Sequence, residues 1–262
     1  MLTRNLDKAK EAFRKRDPEA SRAAHEHGTV ESHKDGSGRY LKSTVYGGLD
    51  GIITTFAVVA GVAGASLEAG IVLILGFANL IADGLAMAFG EFLSGKAVRE
   101  FHDAERKREE WEFENYPEGE KRELVELYVE KGLSKEDARK VVDVFAKKKE
   151  VIVDVMMVEE LGLFEDEASP HGNAIATFLS FVGFGFVPLM SYVATEWLDL
   201  RWKQFPLACV LTALTLFALG AVKVRFTNRS WFGSGFEMMI VGGVAALAAF
   251  GIGHGLSGLV GD

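Results

Sequence analysis

A stripe of polar side chains runs through one of the most apolar stretches of the sequence. Asn79, Asp83, Met87 and Glu91 follow one another at intervals of four residues within AGIVLILGFANLIADGLAMAFGEFLSG. Each step of four turns about 40° around an α-helix, so the four side chains form one stripe about 18 Å long. Because charge is costly in lipid, such a stripe must face a partner helix or a water-filled path. Polar contacts between membrane helices usually use Ser, Thr or Asn, so two carboxylates favour an ion path over simple helix adhesion.

A further carboxylate, Asp50, lies in LDGIITTF near the start of another apolar run. An aspartate at the membrane interface, or one that caps a helix, is the alternative interpretation. The neighbouring Gly47, Gly48 and Gly51 permit close helix approach or local unwinding. Because charge inside a membrane is costly, we count Asp50 as a candidate functional residue.

A second set of candidate ligands lies in the charged block from Lys96 to Pro170. This block holds 14 Lys+Arg and 22 Asp+Glu, a net charge of −8, which is the whole acidic excess of the chain. The excess argues against nucleic acid as a partner and favours cations. The candidates share helical spacing, and they are Glu105, Glu109, Glu112, Glu120, Glu123, Met156, Met157 and Glu160. A solvated helix surface explains any single glutamate equally well, so spacing alone does not select the ligands.

The ligand types favour a borderline divalent metal. Carboxylates suit hard or borderline cations, whereas thioethers suit softer ones. A set that mixes both indicates Fe²⁺, with Mn²⁺ as a second candidate, and disfavours a tetrahedral Zn²⁺ site built from Cys and His. The one cysteine, Cys209, lies in an apolar run. We expect no cofactor beyond this divalent metal, and no nucleophile motif or phosphate loop indicates an enzyme.

The elements that carry these residues are predicted to be membrane helices. Five apolar segments of about 20 residues or more are each long enough to cross a hydrocarbon core of roughly 30 Å. We expect an all-α integral membrane protein with five transmembrane helices and a helical cytoplasmic metal-binding domain inserted between helices 2 and 3. The predicted parts are a polar N-terminal segment (1–42), transmembrane helices 1 and 2 (43–96), the acidic helical domain (97–168) and transmembrane helices 3 to 5 (169–262). Buried helices of a large soluble protein are the alternative, but five such runs are hard to bury without lipid.

Local signals divide the acidic domain into helices. Its first helix is predicted to continue straight out of transmembrane helix 2, because no Pro or turn signal separates them, and to break at Tyr116-Pro117. Gly132 is a predicted C-cap and Ser134 a predicted N-cap. A last helix is expected over about 150–161, ending at Gly162.

The distribution of Lys and Arg predicts the orientation in the membrane. Basic residues precede the first span and fill the link between spans four and five, whereas Arg201 and Lys203 in the third link oppose this trend. The basic residues concerned are Lys34, Arg39, Lys42, Lys223, Arg225 and Arg229. We expect the N-terminus and the acidic domain to be cytoplasmic and the C-terminus to be outside. The charged N-terminus does not read as a cleavable signal peptide, and no organelle signal is visible, so we favour the plasma membrane.

Three motifs resemble those of the vacuolar iron transporter family, which includes plant and yeast members, nodulin-21-like proteins and prokaryotic homologues. The motifs are LDGIITTFAVVAGVAGA, GLAMAFGEFLSG and MMVEELG, and the similarity covers about residue 40 to the C-terminus. The resemblance implies five membrane helices per subunit and homodimers with the ion path at the two-fold interface. It also implies exchange of Fe²⁺, and sometimes of Mn²⁺ or other divalent ions, for protons.

The resemblance further implies roles for individual residues. Asp50 and Met87 match the aspartate and methionine that line the family's path. The metal-binding glutamates of the family's cytoplasmic domain match Glu109, Glu112, Glu120, Glu123 and Glu160, beside a methionine pair that matches Met156 and Met157.

One departure from the family pattern concerns the proton carrier. Plant members have a glutamate where this chain has Asn79; Asp83 lies one turn on and can substitute, and Glu91 is common in prokaryotic-type members. Which of these carboxylates carries the proton stays open. The N-terminal His25, His27 and His33 also resemble prokaryotic members and are weaker candidates for metal binding.

The sequence therefore predicts a transporter that exports cytoplasmic Fe²⁺, or Mn²⁺, in exchange for protons through a homodimer interface. Its expected partners are the metal, protons, the lipid bilayer and a second copy of the chain, with no nucleic acid. A carboxylate suits such exchange, because metal and proton compete for it. Two alternatives stay open: a metal-sensing or iron-storing membrane protein without transport, and a channel for divalent cations.

Overall fold

The computed structural model describes residues 6–26, 40–164, 168–198, 204–227 and 230–260, and every regular element within these ranges is a helix. His27 and His33 lie outside the described residues, as do Lys34, Arg39, Arg201, Lys203 and Arg229, and the side chains of His25, Lys223 and Arg225. The chain divides into two compact units, Met1–Leu41 and Lys42–Asp262.

The first unit contains two short helices, α1 (Leu6–Lys15) and α2 (Pro18–Glu26). Asp17 lies between them, and its Oδ1 accepts hydrogen bonds from the backbone N–H groups of Glu19 and Ala20, each at 3.0 Å. This is the bonding of an N-cap, and Pro18 occupies the first helical position, where no intrahelical donor is needed.

Five helices of the second unit are long and apolar enough to cross a membrane, which confirms the predicted number of spans. They are α3 (Leu41–Gly64), α4 (Ala69–Asn115), α8 (Pro170–Leu198), α9 (Gln204–Thr227) and α10 (Trp231–Val260). Helix α8 keeps Pro188 in its interior. The link from α3 to α4 is only residues 65–68, and a hydrogen bond joins Ser43 at the start of α3 to Glu91 of α4, so the two helices run antiparallel side by side.

Glycines set the distance between α3 and α8. A methyl group added at Gly47 would lie 2.6 Å from the carbonyl oxygen of Thr177, and one at Gly51 would collide with the carbonyl of Phe181. A methyl group at Gly185 would in turn lie 2.7 Å from the carbonyl oxygen of Gly51. The two backbones therefore touch along this crossing, as the glycines in the first span predict.

Helix α4 continues 47 residues without a break, about 70 Å, so its C-terminal part leaves the apolar region as predicted. It ends at Asn115, and Pro117 begins α5 (Pro117–Glu130), which confirms the predicted break. Helices α6 (Lys135–Phe145) and α7 (Lys149–Glu159) follow. Ser134 caps α6, since its Oγ accepts a hydrogen bond from Asp137 N at 3.1 Å, and Gly132 has a positive φ of 102° just after α5.

The inserted helical region, residues 97–164, has a small apolar core of its own. Leu124, Ala138, Val142, Ile152 and Met156 are at most 1% exposed and form one cluster, which joins α5, α6 and α7. Arg106 of α4 and Asp154 of α7 form an ion pair at 2.6 Å, and α7 packs against α4. These contacts hold α5 and α7 against the distal part of α4, where the candidate glutamates lie.

Candidate functional site

The polar stripe on α4 lies along the edge of the helix face that packs on the protein. Asn79, Asp83, Met87 and Glu91 are all half-buried. The adjoining face of α4 is buried at Val72, Gly76, Leu80 and Gly84, where Gly76 and Gly84 lie close to side chains of α8. The structure thus places the four candidates on one side of one continuous helix, as their spacing predicts.

Helix α3 brings Asp50 to this stripe. The carboxylates of Asp50 and Asp83 are close enough for their charges to interact. Nearer the inserted region, Ser43 Oγ donates a hydrogen bond to Glu91 Oε1 at 3.3 Å. The two apolar helices therefore share a row of acidic groups, which neither helix could hide from lipid alone.

Next to the stripe, α4 presents small side chains outward. Ala78, Ala82, Ala86 and Gly90 recur every four residues, and all four are exposed in the single chain. Small residues at this spacing let another helix approach closely. The acidic row therefore borders a surface suited to helix packing.

A second group of acidic side chains lies outside the apolar spans. Glu109, Glu112 and Glu120 each offer one carboxylate oxygen, and these oxygens all lie within 4.8 Å of one another. We call these three residues the acidic cluster. The turn at Tyr116 makes the cluster possible, because α5 begins there, packs against α4 and so brings Glu120 to Glu109. Gly119 stands where any side chain would collide with the Tyr116 ring.

The acidic cluster is buried and poor in hydrogen bonds. Glu109 is 1% exposed and Glu120 is 6% exposed. Both carboxylate oxygens of Glu109, and Oε2 of Glu120, are buried without a hydrogen bond within the described residues. Buried charge is destabilising unless it is compensated, so these carboxylates favour a nearby cation or a proton.

The pKa values of the acidic cluster also indicate that its carboxylates favour a cation or a proton. Burial, followed by repulsion from Glu160, raises the pKa of Glu109 from its usual 4.5 to about 7. Burial, followed by repulsion from Glu123 and Glu109, raises the pKa of Glu120 to about 7. The pKa of Glu160 is also raised, mainly by burial and then by Glu123. Five of the predicted glutamates therefore form one interacting set: Glu109, Glu112, Glu120, Glu123 and Glu160.

One basic side chain, Arg108, contacts this set of glutamates. Its Nη2 lies 2.7 Å from Glu105 Oε2 and 2.9 Å from Glu109 Oε1, the latter an ion pair without hydrogen-bond alignment. Its Nη1 lies 3.2 Å from Glu112 Oε2. The site can thus hold positive charge, and hard oxygen donors of this kind suit divalent cations.

Comparison with known proteins identifies the family. Residues 41–254, more than half of the chain, match the family model described as the VIT family. The chain belongs to the VIT family. It is 44% identical over 273 residues to a protein named vacuolar iron transporter from Toxoplasma gondii, covering 98% of this chain and 90% of that protein. It is 36% identical to the vacuolar iron transporter of Plasmodium falciparum, covering 97% of each chain. It is 30% identical to vacuolar iron transporter 1 of Arabidopsis thaliana, covering 82% of this chain and 85% of the relative.

Membership of the VIT family confirms the family resemblance that the three sequence motifs predict. The relatives are named as iron transporters, so the chain belongs to a family of transporters and not of enzymes. With five candidate membrane helices, it is a multi-pass membrane protein.

The other predicted ligands of this VIT protein occupy different surroundings. Met156 is fully buried in the apolar core of the inserted region, and Met157 is 6% exposed. Glu105 is engaged by Arg108, and Glu123 is exposed but repels both Glu120 and Glu160. The position of Met156 favours a packing role, and its role as a metal ligand stays a prediction.

Arg108 is the residue at this site that the sequence reasoning missed. The signal was present, since Arg108 lies three residues after Glu105 and four before Glu112, both of which are positions that face it on a helix. Such a pattern normally indicates an ordinary surface ion pair. Only the burial of Glu109 shows that this arginine borders a candidate metal site.

Proposed function

We propose that this VIT protein exports Fe²⁺, and Mn²⁺ as a second cargo, from the cytoplasm in exchange for protons through a homodimer interface. The observation that carries the proposal is the acidic row formed by Asp50, Asp83 and Glu91 inside the apolar helices. Carboxylates at membrane depth mark ion paths. Met87 on the same stripe adds a soft donor, which suits a borderline metal better than Mg²⁺ or Ca²⁺.

The proposed partner is a second copy of the chain. In the single chain the acidic row is only half-buried, and it borders the exposed surface of Ala78, Ala82, Ala86 and Gly90. An exposed acidic edge facing lipid would be prohibitively unfavourable. A second α4 packed on the small residues would close the row into a path shared by two subunits.

The acidic cluster is proposed to capture cytoplasmic metal before transport. Met87 and Glu109 are 22 residues apart on one continuous helix, which corresponds to about 33 Å. The cluster is therefore a separate site and not part of the membrane path. Its proposed ligands are those of the VIT family pattern: Glu109, Glu112, Glu120, Glu123 and Glu160. Glu105 is proposed as a further ligand at the edge of the site.

Proton exchange follows from the same carboxylates. A carboxylate that binds the metal must release its proton, and a proton that returns must displace the metal. We assign Asp50 and Met87 to metal contact in the path, and Asp50, Asp83 or Glu91 to proton return. Asn79, whose Nδ2 is buried without a hydrogen bond within the described residues, would donate a hydrogen bond to a water that accompanies the ion.

We propose that the inserted region lies on the cytoplasmic side of the membrane and the C-terminus on the outside. Two spans separate residue 41 from the inserted region, so α4 returns the chain to the side from which α3 started. The plasma membrane stays a prediction, whereas the names of the relatives favour a vacuolar membrane for those proteins. Imaging a tagged chain in its own cell would decide between the two membranes.

The test is metal and proton flux in proteoliposomes. We expect Fe²⁺ uptake to drive counter-movement of protons, with Mn²⁺, Co²⁺ and Zn²⁺ compared in parallel. Asp50→Ala and Met87→Leu should each reduce Fe²⁺ flux at least tenfold, whereas Glu68→Ala, a matched loss of charge in the exposed link between α3 and α4, should not.

Three outcomes would contradict the proposal. Native Fe²⁺ flux in Asp50→Ala would remove that residue from the path. Metal flux without proton counter-movement would indicate a channel. Metal binding to the full-length chain without flux of any of the four ions would indicate a sensor or store.

A further inference from the structure

We propose that Arg108 is a built-in counter-cation of the acidic cluster. Its guanidinium holds the carboxylates of the metal-free protein and has to leave them when a divalent metal binds, so it limits the metal affinity of the cluster. This inference rests on the proposed capture role of the cluster. It adds a residue that sets how tightly that site holds its cargo and how readily it releases it.

The geometry shows one guanidinium shared among three carboxylates. Nη2 of Arg108 contacts Oε2 of Glu105 at 2.7 Å and Oε1 of Glu109 at 2.9 Å, and Nη1 contacts Oε2 of Glu112 at 3.2 Å. The planar fork of arginine can engage several carboxylate oxygens at once, which a lysine ammonium does less well. Two of these three carboxylates, Glu109 and Glu112, also belong to the acidic cluster.

A divalent metal and the guanidinium therefore compete for the same glutamates. Glu109 is 1% exposed and cannot follow the arginine into solvent, whereas the Arg108 side chain is 46% exposed and can turn outward. A metal bound at the cluster would also stand a few ångströms from a fixed positive charge. That repulsion weakens metal binding.

Two lysines of the inserted region pair with glutamates outside the acidic cluster. Lys121 lies 3.2 Å from Glu118, and Lys131 pairs with Glu159. Arg139 is exposed on α6. Replacing Arg139 by glutamine changes the net charge of the region by the same amount as replacing Arg108. It leaves the contacts of the Arg108 guanidinium with the cluster intact.

The experiment is Mn²⁺ binding to the purified full-length protein, followed by the loss of the free Mn²⁺ signal in electron paramagnetic resonance. We expect Arg108→Gln to bind Mn²⁺ about tenfold more tightly than the parent chain. Arg108→Lys, which keeps the charge but loses the fork, should be about threefold tighter. The matched control Arg139→Gln should stay within twofold of the parent chain.

The direction of the change separates this proposal from a structural role. If Arg108 only supported the fold, both Arg108 variants would bind Mn²⁺ equally well or more weakly, and either result overturns the proposal. If Arg108→Gln does not fold, Arg108→Lys decides alone, and tighter binding is required of it.

A double variant separates this inference from the proposed function. Glu109→Gln with Glu120→Gln should abolish Mn²⁺ binding at the cluster. If the parent chain binds no more Mn²⁺ than this double variant, the capture role fails and the inference about Arg108 fails with it. If the parent chain does bind more, and Arg108→Gln binds as the parent does, only the inference fails.

Discussion

Replacing Glu109 by Gln should stabilise the inserted region of the metal-free protein at neutral and alkaline pH. The carboxylate of Glu109 is 1% exposed and has no hydrogen bond within the described residues. Glutamine has nearly the same shape but no charge. The substitution therefore removes the cost of holding a buried negative charge beside Glu120 and Glu160.

The magnitude follows from the pKa of Glu109, which is raised from 4.5 to about 7. Between these two values the folded protein binds more protons than the unfolded chain, so stability falls as the pH rises. The full difference corresponds to roughly 3 kcal/mol, and most of it is lost between pH 5 and pH 7. Burial and the neighbouring glutamates raise the pKa of Glu120 to about 7 as well, so Glu120 also makes the stability fall as the pH rises.

The assay is hydrogen exchange of peptides from α6 and α7 in the full-length protein, corrected for the intrinsic effect of pH on exchange. In the metal-free parent chain, the charge of Glu109 should lower the protection of these helices by a factor of about 100 between pH 5 and pH 8, and Glu120 should add to this fall. In Glu109→Gln only the contribution of Glu120 should remain, so the fall should be smaller by that factor of about 100. Adding Mn²⁺ at pH 8 should restore protection in the parent chain but not in the variant.

The matched control is Glu126→Gln, an exposed position on α5 of the same region. It should keep the pH slope of the parent chain. Equal slopes in the parent chain and in Glu109→Gln would refute the argument that Glu109 carries buried charge. A rise of protection with pH would give the wrong sign and would refute the burial argument for the whole cluster.

Two further predictions concern packing. Gly51→Ala should destabilise the α3–α8 contact by about 1–3 kcal/mol and lower the melting temperature in detergent, because the added methyl group meets the carbonyl of Phe181. The control Gly183→Ala should not lower the melting temperature, because its methyl group meets nothing within 4 Å. Leu124→Ala should cost the inserted region about 2–5 kcal/mol and lower its protection in hydrogen exchange, since Leu124 is fully buried in its core; an unchanged melt in either case would contradict the packing described.

Much of the helical framework could be predicted because its signals are local. A run of about 20 apolar residues has few options other than a membrane helix. Pro117 cannot continue the helix before it, Ser134 supplies its hydroxyl to the next helix, and Gly132 takes a positive φ at no steric cost. Each of these effects acts within a few residues, so neighbouring sequence is sufficient to recognise it.

The acidic cluster depends on contacts between helices, and these lie beyond local signals. Glu109 and Glu110 are adjacent in sequence, yet Glu109 is buried in the cluster whereas Glu110 lies near Arg106 and Lys149. The difference arises because the two side chains face different helices: Glu109 lies beside Glu120 of α5, whereas Glu110 lies beside Lys149 of α7. Spacing identified the face of the helix but not which glutamates would be buried, and the family resemblance was needed to narrow the set.

The buried glutamates contradict the usual preference for placing charge at the surface, and this conflict is itself informative. Glu109 and Glu120 have carboxylate oxygens within 4.8 Å of each other and pKa values of about 7, and this pair weakens the metal-free protein at neutral pH. The guanidinium of Arg108 offsets part of that cost, but it reaches Glu109 and Glu112 and forms no ion pair with Glu120 within the described residues. A divalent cation could contact all three. The empty site is destabilised by its own charges, and Arg108 compensates them only in part. Binding a divalent cation therefore stabilises the folded protein more than the arginine does. A site that captures metal requires this gain in stability on binding.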